Sequence, residues 1–99
     1  MNKEYFTVVC FLEAKPGKEN ELEEMLMSLI EPSLGEEGCV NYNLYKSHED
    51  PTVFMFYENW LSKEALERHK QSAHIKIWHS KKSELLAIPD KTTFWEKIS

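Results

Sequence analysis

Phe54-Met-Phe-Tyr-Glu-Asn-Trp60, with Glu64-Ala-Leu-Glu-Arg-His69 and then His74 close behind it, decides how this chain is built. The first segment is an apolar and aromatic run interrupted by one carboxylate, as expected of a strand covered on both faces. Ser62 follows as a helix N-cap. Ala65, Leu66 and His69 then share a helical stripe, because 65 to 69 and 66 to 69 are neighbours one turn apart. Gln71-Ser72 interrupts this helix after Lys70, and a second helical run extends from Ala73 to about Leu86. On it His74, Ile77 and Trp78 share one face, while Ile75, Trp78 and His79 share an adjoining one. Polar, protonatable and aromatic groups driven towards an interior imply a pocket, since burying them costs free energy unless they find partners.

Upstream, Cys39 to Lys46 alternates, with Val40, Tyr42 and Leu44 on one side and Asn41, Asn43 and Tyr45 on the other. Ser47 to Thr52 is a hairpin loop cornered by Asp50-Pro51, so this strand pairs antiparallel with Val53 to Trp60. Tyr5 to Ala14 is a further strand, apolar on both faces and closed by the turn Lys15-Pro-Gly-Lys18. Between them, Glu19 to about Ser33 reads as one helix on the stripe Leu22, Met25, Leu26, Leu29 and Ile30. Pro32 and Gly35 weaken its end, and Glu36-Glu37-Gly38 turns the chain out. Pro89-Asp90 is another turn, and Lys91 to Lys97 is a last strand. The order β-α-β-β-α-β predicts an α+β, ferredoxin-like domain with helices on one face of a four-stranded antiparallel sheet. The other face carries Val9, Phe11, Tyr45, Met55 and Tyr57, too much apolar surface for a monomer to expose, and predicts a homodimer with two sheets packed together.

Composition narrows the function classes. The 99 residues make one domain, and 41% hydrophobic residues with 12% aromatics suffice for a core. No apolar run approaches the roughly 18 residues of a membrane span, and the first residues do not read as a signal peptide, so a cytoplasmic location is expected. Net charge of −5 argues against nucleic acid or an anionic membrane as partner. Cys10 and Cys39 are too few for a disulfide framework or a zinc site. There is no G-x-S-x-G, P-loop or dinucleotide fingerprint.

His69 and His74 are candidates for the rim of a pocket, where an imidazole can accept a proton near neutral pH. The commoner reading of each is an imidazole bonded to a backbone carbonyl or partly exposed. No metal site is expected, because His69 and His74, like His74 and His79, are five apart, a poor spacing for one helix face. Glu58 shares a strand face with Trp60 and needs a partner, either Arg68 or a histidine. It would then staple strand to helix or hold a histidine tautomer. Tyr42, Tyr57, Trp60 and Trp78 suit a core and also suit contact with a planar aromatic ligand. Cys10, mid-strand and flanked by apolar residues, reads as an inert buried thiol.

Glu36-Glu-Gly-Cys-Val-Asn-Tyr42, Asp50-Pro51, Phe56-Tyr57-Glu58-x-Trp60, Ala65-Leu66-x-x-His69 and His74 together resemble the antibiotic biosynthesis monooxygenase family, which includes small quinol monooxygenases. The likeness covers most of the chain and is strongest from about Gly35 to Trp78. It implies a single domain over residues 1–99 and a dimeric α+β barrel with one pocket per subunit. It also implies oxygenation of an aromatic small molecule, a phenol or quinol, by O2 without flavin, haem or metal, hence no cofactor. On this resemblance His74 or His69 would be the catalytic base, and Tyr42, Glu58, Asn59, Trp60 and Trp78 would bind substrate. Phe56 would add to the cavity wall, and Asn41, Asn43 or Asn59 would supply hydrogen-bond donors. Haem-degrading relatives use an Asn, a Trp and an axial His. Here Cys10 and His69 stand at the first two positions and only His79 fits the third, which argues against haem. Two alternatives remain: isomerisation of a phosphorylated hydroxy-dione, and small-molecule binding without catalysis.

Overall fold

The alternation of Val53–Trp60 resolves into two sharply different faces. In the computed structural model, which describes residues 4–99, Phe54, Phe56, Glu58 and Trp60 are buried under helices, while Val53, Met55, Tyr57 and Asn59 face the other way. Around this strand the elements run β1 (Phe6–Glu13), α1 (Glu19–Met27), α2 (Ile30–Leu34), β2 (Cys39–Lys46), β3 (Val53–Trp60), α3 (Lys63–Lys70), α4 (Ala73–Leu85) and β4 (Lys91–Trp95). The sheet order is β2-β3-β1-β4 with every pairing antiparallel, the ferredoxin-like arrangement expected. The core lies between sheet and helices. Val8, Leu12, Phe54, Phe56 and Trp60 from the strands meet Leu22, Leu26, Leu66, Ile75 and Trp78 from the helices. Among the described residues no helix is long and apolar enough to cross a membrane.

Three local expectations need correction. The helix expected over Glu19 to Ser33 is two helices, α1 and α2, broken at Ser28-Leu29. Pro32 has no N–H for the carbonyl four residues earlier, that of Ser28, and its ring crowds it. The Leu29 N–H accordingly takes a tighter bond to the Leu26 carbonyl, at 3.1 Å. In β2, Val40 does not share the Tyr42 face. A bulge places Cys39 opposite Trp60 and Asn41 opposite Asn59, leaving Val40 exposed between them. Ile77 of α4, expected on the His74–Trp78 face, is also exposed; the buried stripe is Ile75, Trp78 and Leu85.

Gly38 fixes how closely the turn before β2 approaches α3. Its φ is +89°, and a Cβ there would lie 2.6 Å from Ala65 Cβ. Its carbonyl accepts from the Leu61 N–H at 2.8 Å. Gly38→Ala should therefore cost about 2–4 kcal/mol, combining left-handed strain with overpacking. Gly17, at φ +83°, has open space around it. Gly17→Ala should cost only the conformational part, about 1–2 kcal/mol. Urea midpoints of the two variants check the difference; equal losses would remove the close approach as the cause.

Candidate functional site

α3 begins cleanly because the Ser62 hydroxyl accepts from the Ala65 N–H at 3.1 Å. That start sets the helical phase, and Ala65, Leu66 and His69 face inwards. His69 is buried against aromatic rings, with its centroid 4.5 Å from that of Trp60 and 5.3 Å from that of Tyr42. Its Nδ1 lies 2.8 Å from Glu36 Oε2. An ionised carboxylate only accepts, so Nδ1 carries the hydrogen and Nε2 is the basic nitrogen. Burial pushes the His69 imidazole below its ordinary 6.5, opposed by the hydrogen bond and charge of Glu36.

The same carboxylate oxygen also receives His74, whose Nε2 is 2.9 Å away. That nitrogen is 3.0 Å from the hydroxyl of Ser33, a side chain with no exposure at all. Glu36 thus lies between two imidazoles whose centroids are 5.8 Å apart. It comes from the turn that Gly38 presses against α3, while Gln71-Ser72 turns the chain so that α4 returns His74 to the same point.

A cavity of about 380 Å³ lies between sheet and helices, lined by residues that include Cys10, Tyr42, Phe56, Glu58, Leu66, His69, Trp78 and His79. His69 lines it through the ring that Nδ1 anchors to Glu36, and Nε2 has no hydrogen-bond partner among the described residues. Glu58 is buried there and accepts from Trp60 Nε1 at 2.9 Å, not from Arg68 or a histidine as expected. Burial pushes its carboxyl up to about 7, although the indole bond lowers it and Glu36 adds to the rise. Burial, reinforced by the charge of Glu58, also pushes the Tyr42 phenol up, so Tyr42 enters the cavity as a neutral donor. Burial raises the Cys10 thiol to about 11, consistent with an inert thiol.

The residues expected to act together therefore divide. His69, Tyr42, Glu58 and Trp78 reach one cavity. Trp60 is fully buried behind them, supporting His69 and Glu58 rather than lining the space. His74 does not line the cavity; it is joined to His69, which does, by the shared Glu36 carboxylate and by a direct ring contact. Asn59 lies on the opposite face of the sheet, where it accepts from Thr7 Oγ1 at 2.6 Å and donates to Asn41 Oδ1 at 2.9 Å. Asn41 and Asn59 are thus tied to each other away from the histidines. On that face a wider depression of about 850 Å³ is lined by Asn59, Thr7, Tyr57 and residues near the end of the chain. Glu36 and Ser33 are what sequence reasoning missed as site residues. Glu36 offered one signal, an acid in a short Gly-containing turn leading into a strand.

The family model described as antibiotic biosynthesis monooxygenase matches residues 5–81. An uncharacterised protein of Synechocystis sp., sll1783, is 33% identical over 78 residues, 79% of this chain and 53% of its own. The chain thus spans about half the length of that relative. YcnE of Bacillus subtilis, named provisionally as a monooxygenase, is 30% identical over 80% of this chain and 83% of its own. The crystal structure of PA3566 from Pseudomonas aeruginosa superposes with a TM-score of 0.93 at 29% identity, covering 97% of this chain and 96% of that one.

Proposed function

This chain belongs to the antibiotic biosynthesis monooxygenase family, and on that premise we propose that it oxygenates an electron-rich phenol or quinol ring with O2, using His69 as the base. The observation that carries the reading is the Glu36–His69 pair, whose free imidazole nitrogen is left to an aromatic-lined cavity. Dioxygen reacts slowly with closed-shell molecules. A phenolic ring that has lost its proton is electron-rich enough to give oxygen one electron. Nε2 of His69 would take that proton, and Glu36 would stabilise the imidazolium that results. Tyr42, a neutral donor, and Glu58 when protonated would bond the ring oxygens or the reduced oxygen. In the net reaction a ring CH2 of the keto tautomer becomes C=O, and the second oxygen atom leaves as water with the two hydrogens. The substrate supplies all the electrons, so no cofactor is required. A cavity of about 380 Å³ suits one to a few fused rings.

The proposed unit is a homodimer closed through the outer sheet face, where Phe11, Tyr45 and Tyr57 are exposed. Sedimentation should give twice the chain mass at micromolar concentration. An oxygen electrode with hydroquinones, hydroxynaphthalenes and anthrones tests the chemistry. Oxygen uptake with label from 18O2 entering the product supports the reading. Turnover without oxygen uptake would mark an isomerase, and binding without turnover a carrier; either outcome overturns the proposal.

A further inference from the structure

We propose that Glu36, His69 and His74 form a binding site for a divalent transition-metal ion of the zinc class, and that occupancy switches off His69 as a base. The second half rests on the function proposed above; the first half does not. One donor atom from each residue lies within 4.8 Å of the others, gathered from three separate elements. Two imidazole nitrogens and a carboxylate oxygen are a ligand set that zinc accepts, leaving a fourth position for water. Glu36 Oε2 now stands 2.8 and 2.9 Å from the two nitrogens. Donors about 2.0–2.2 Å from a tetrahedral ion sit about 3.3 Å apart, so the carboxylate needs to withdraw by about half an ångström and the two nitrogens, within 4.8 Å of each other, must settle at that same spacing. Glu36 can do so, being on a bend between α2 and β2 with its side chain 17% exposed, and His74 is 18% exposed, which also provides a way in. An ion on His74 Nε2 would replace that nitrogen's present 3.0 Å contact with the Ser33 hydroxyl. The expectation against a metal assumed one helix face. The break at Gln71-Ser72 puts the histidines on two helices and removes that premise.

The consequence for His69 follows from its tautomers. A metal ion on Nδ1 obliges the ring's one hydrogen to sit on Nε2, which then donates and cannot accept a proton from a substrate. The ion would inhibit the base without entering the cavity.

The metal-stripped protein is titrated with Co2+ while visible absorption is followed, and with Zn2+ by calorimetry. One ion per chain with tetrahedral cobalt bands is expected. Glu36→Gln and His74→Ala, each checked for native circular dichroism, should weaken binding by at least about tenfold. His48→Ala, at an exposed loop histidine, should not. Absence of binding, or unchanged affinity in the first two variants, overturns the site even if the protein proves inactive. Zinc binding without loss of oxygen uptake in an active protein would overturn the switching role alone.

Discussion

His69→Gln should lower kcat for the proposed quinol oxidation by about 10²–10⁴-fold while leaving the protein folded and KM little changed. Gln keeps a polar side chain of similar reach at the end of α3 but supplies no base. The effect should fall on kcat because His69 is asked to take a proton as the ring becomes reactive, not to hold the ring. The pH profile separates this role from a structural one. Burial holds His69 below its ordinary 6.5, so the neutral imidazole persists as pH falls through that value. Activity should decline only at more acidic pH, and His69→Gln should abolish that limb. Glu58, at about 7, titrates at higher pH, so Glu58→Gln should retain the acidic limb. His74→Ala should produce a smaller loss, since His74 steadies Glu36 and does not reach the cavity. Steady-state oxygen uptake of the purified variants across pH 5–9 (about 2 units either side of neutral) is the measurement. A greater loss in His74→Ala than in His69→Gln would place the base elsewhere.

What was legible in the sequence depended on range. β2 and β3 have the bounds read from alternation and turn residues, because both signals act between near neighbours. The inward set Ala65, Leu66 and His69 followed equally from helical spacing. Alternation alone also sets Asn59 on the face opposite Glu58 and Trp60, where it bonds Thr7 and Asn41 apart from the cavity. The Val40 bulge and the break at Ser28-Leu29 are single-residue changes of phase, and only the second left a trace, in Pro32. Glu36 is different in kind. It lies 33 residues from His69 along the chain. Their meeting depends on the turn approaching α3 to a distance that only Gly38 permits. No periodicity records that approach. The same holds for His74, whose position depends on the angle through which Gln71-Ser72 turns the chain.

Trp60→Ala should cost about 3–5 kcal/mol of stability, and Trp60→Phe should show why part of that loss depends on pH. The indole is fully buried, stacks obliquely on His69 and donates its N–H to Glu58. Phe preserves much of the ring packing but removes the donor. Glu58 has a folded-state value of about 7 against an ordinary 4.5, so the native protein holds this proton more tightly than the unfolded chain. Its protonated form therefore favours folding fully below about 4.5, and that contribution is lost as pH rises through 7. The Trp60 bond limits the rise by stabilising the carboxylate. Without it Glu58 must stay protonated to higher pH or be ionised without its partner. The Trp60→Phe penalty should thus be greater at pH 8 than at pH 5 by about 1–3 kcal/mol, the cost of an unsatisfied buried acceptor. In Trp60→Phe with Glu58→Gln the pH dependence should vanish while the packing loss remains. Urea denaturation of the single and double variants at the two pH values decides the matter. A Trp60→Phe penalty equal at both would mean that the bond to Glu58 carries no weight and that Trp60 matters to the site only as a ring beneath His69.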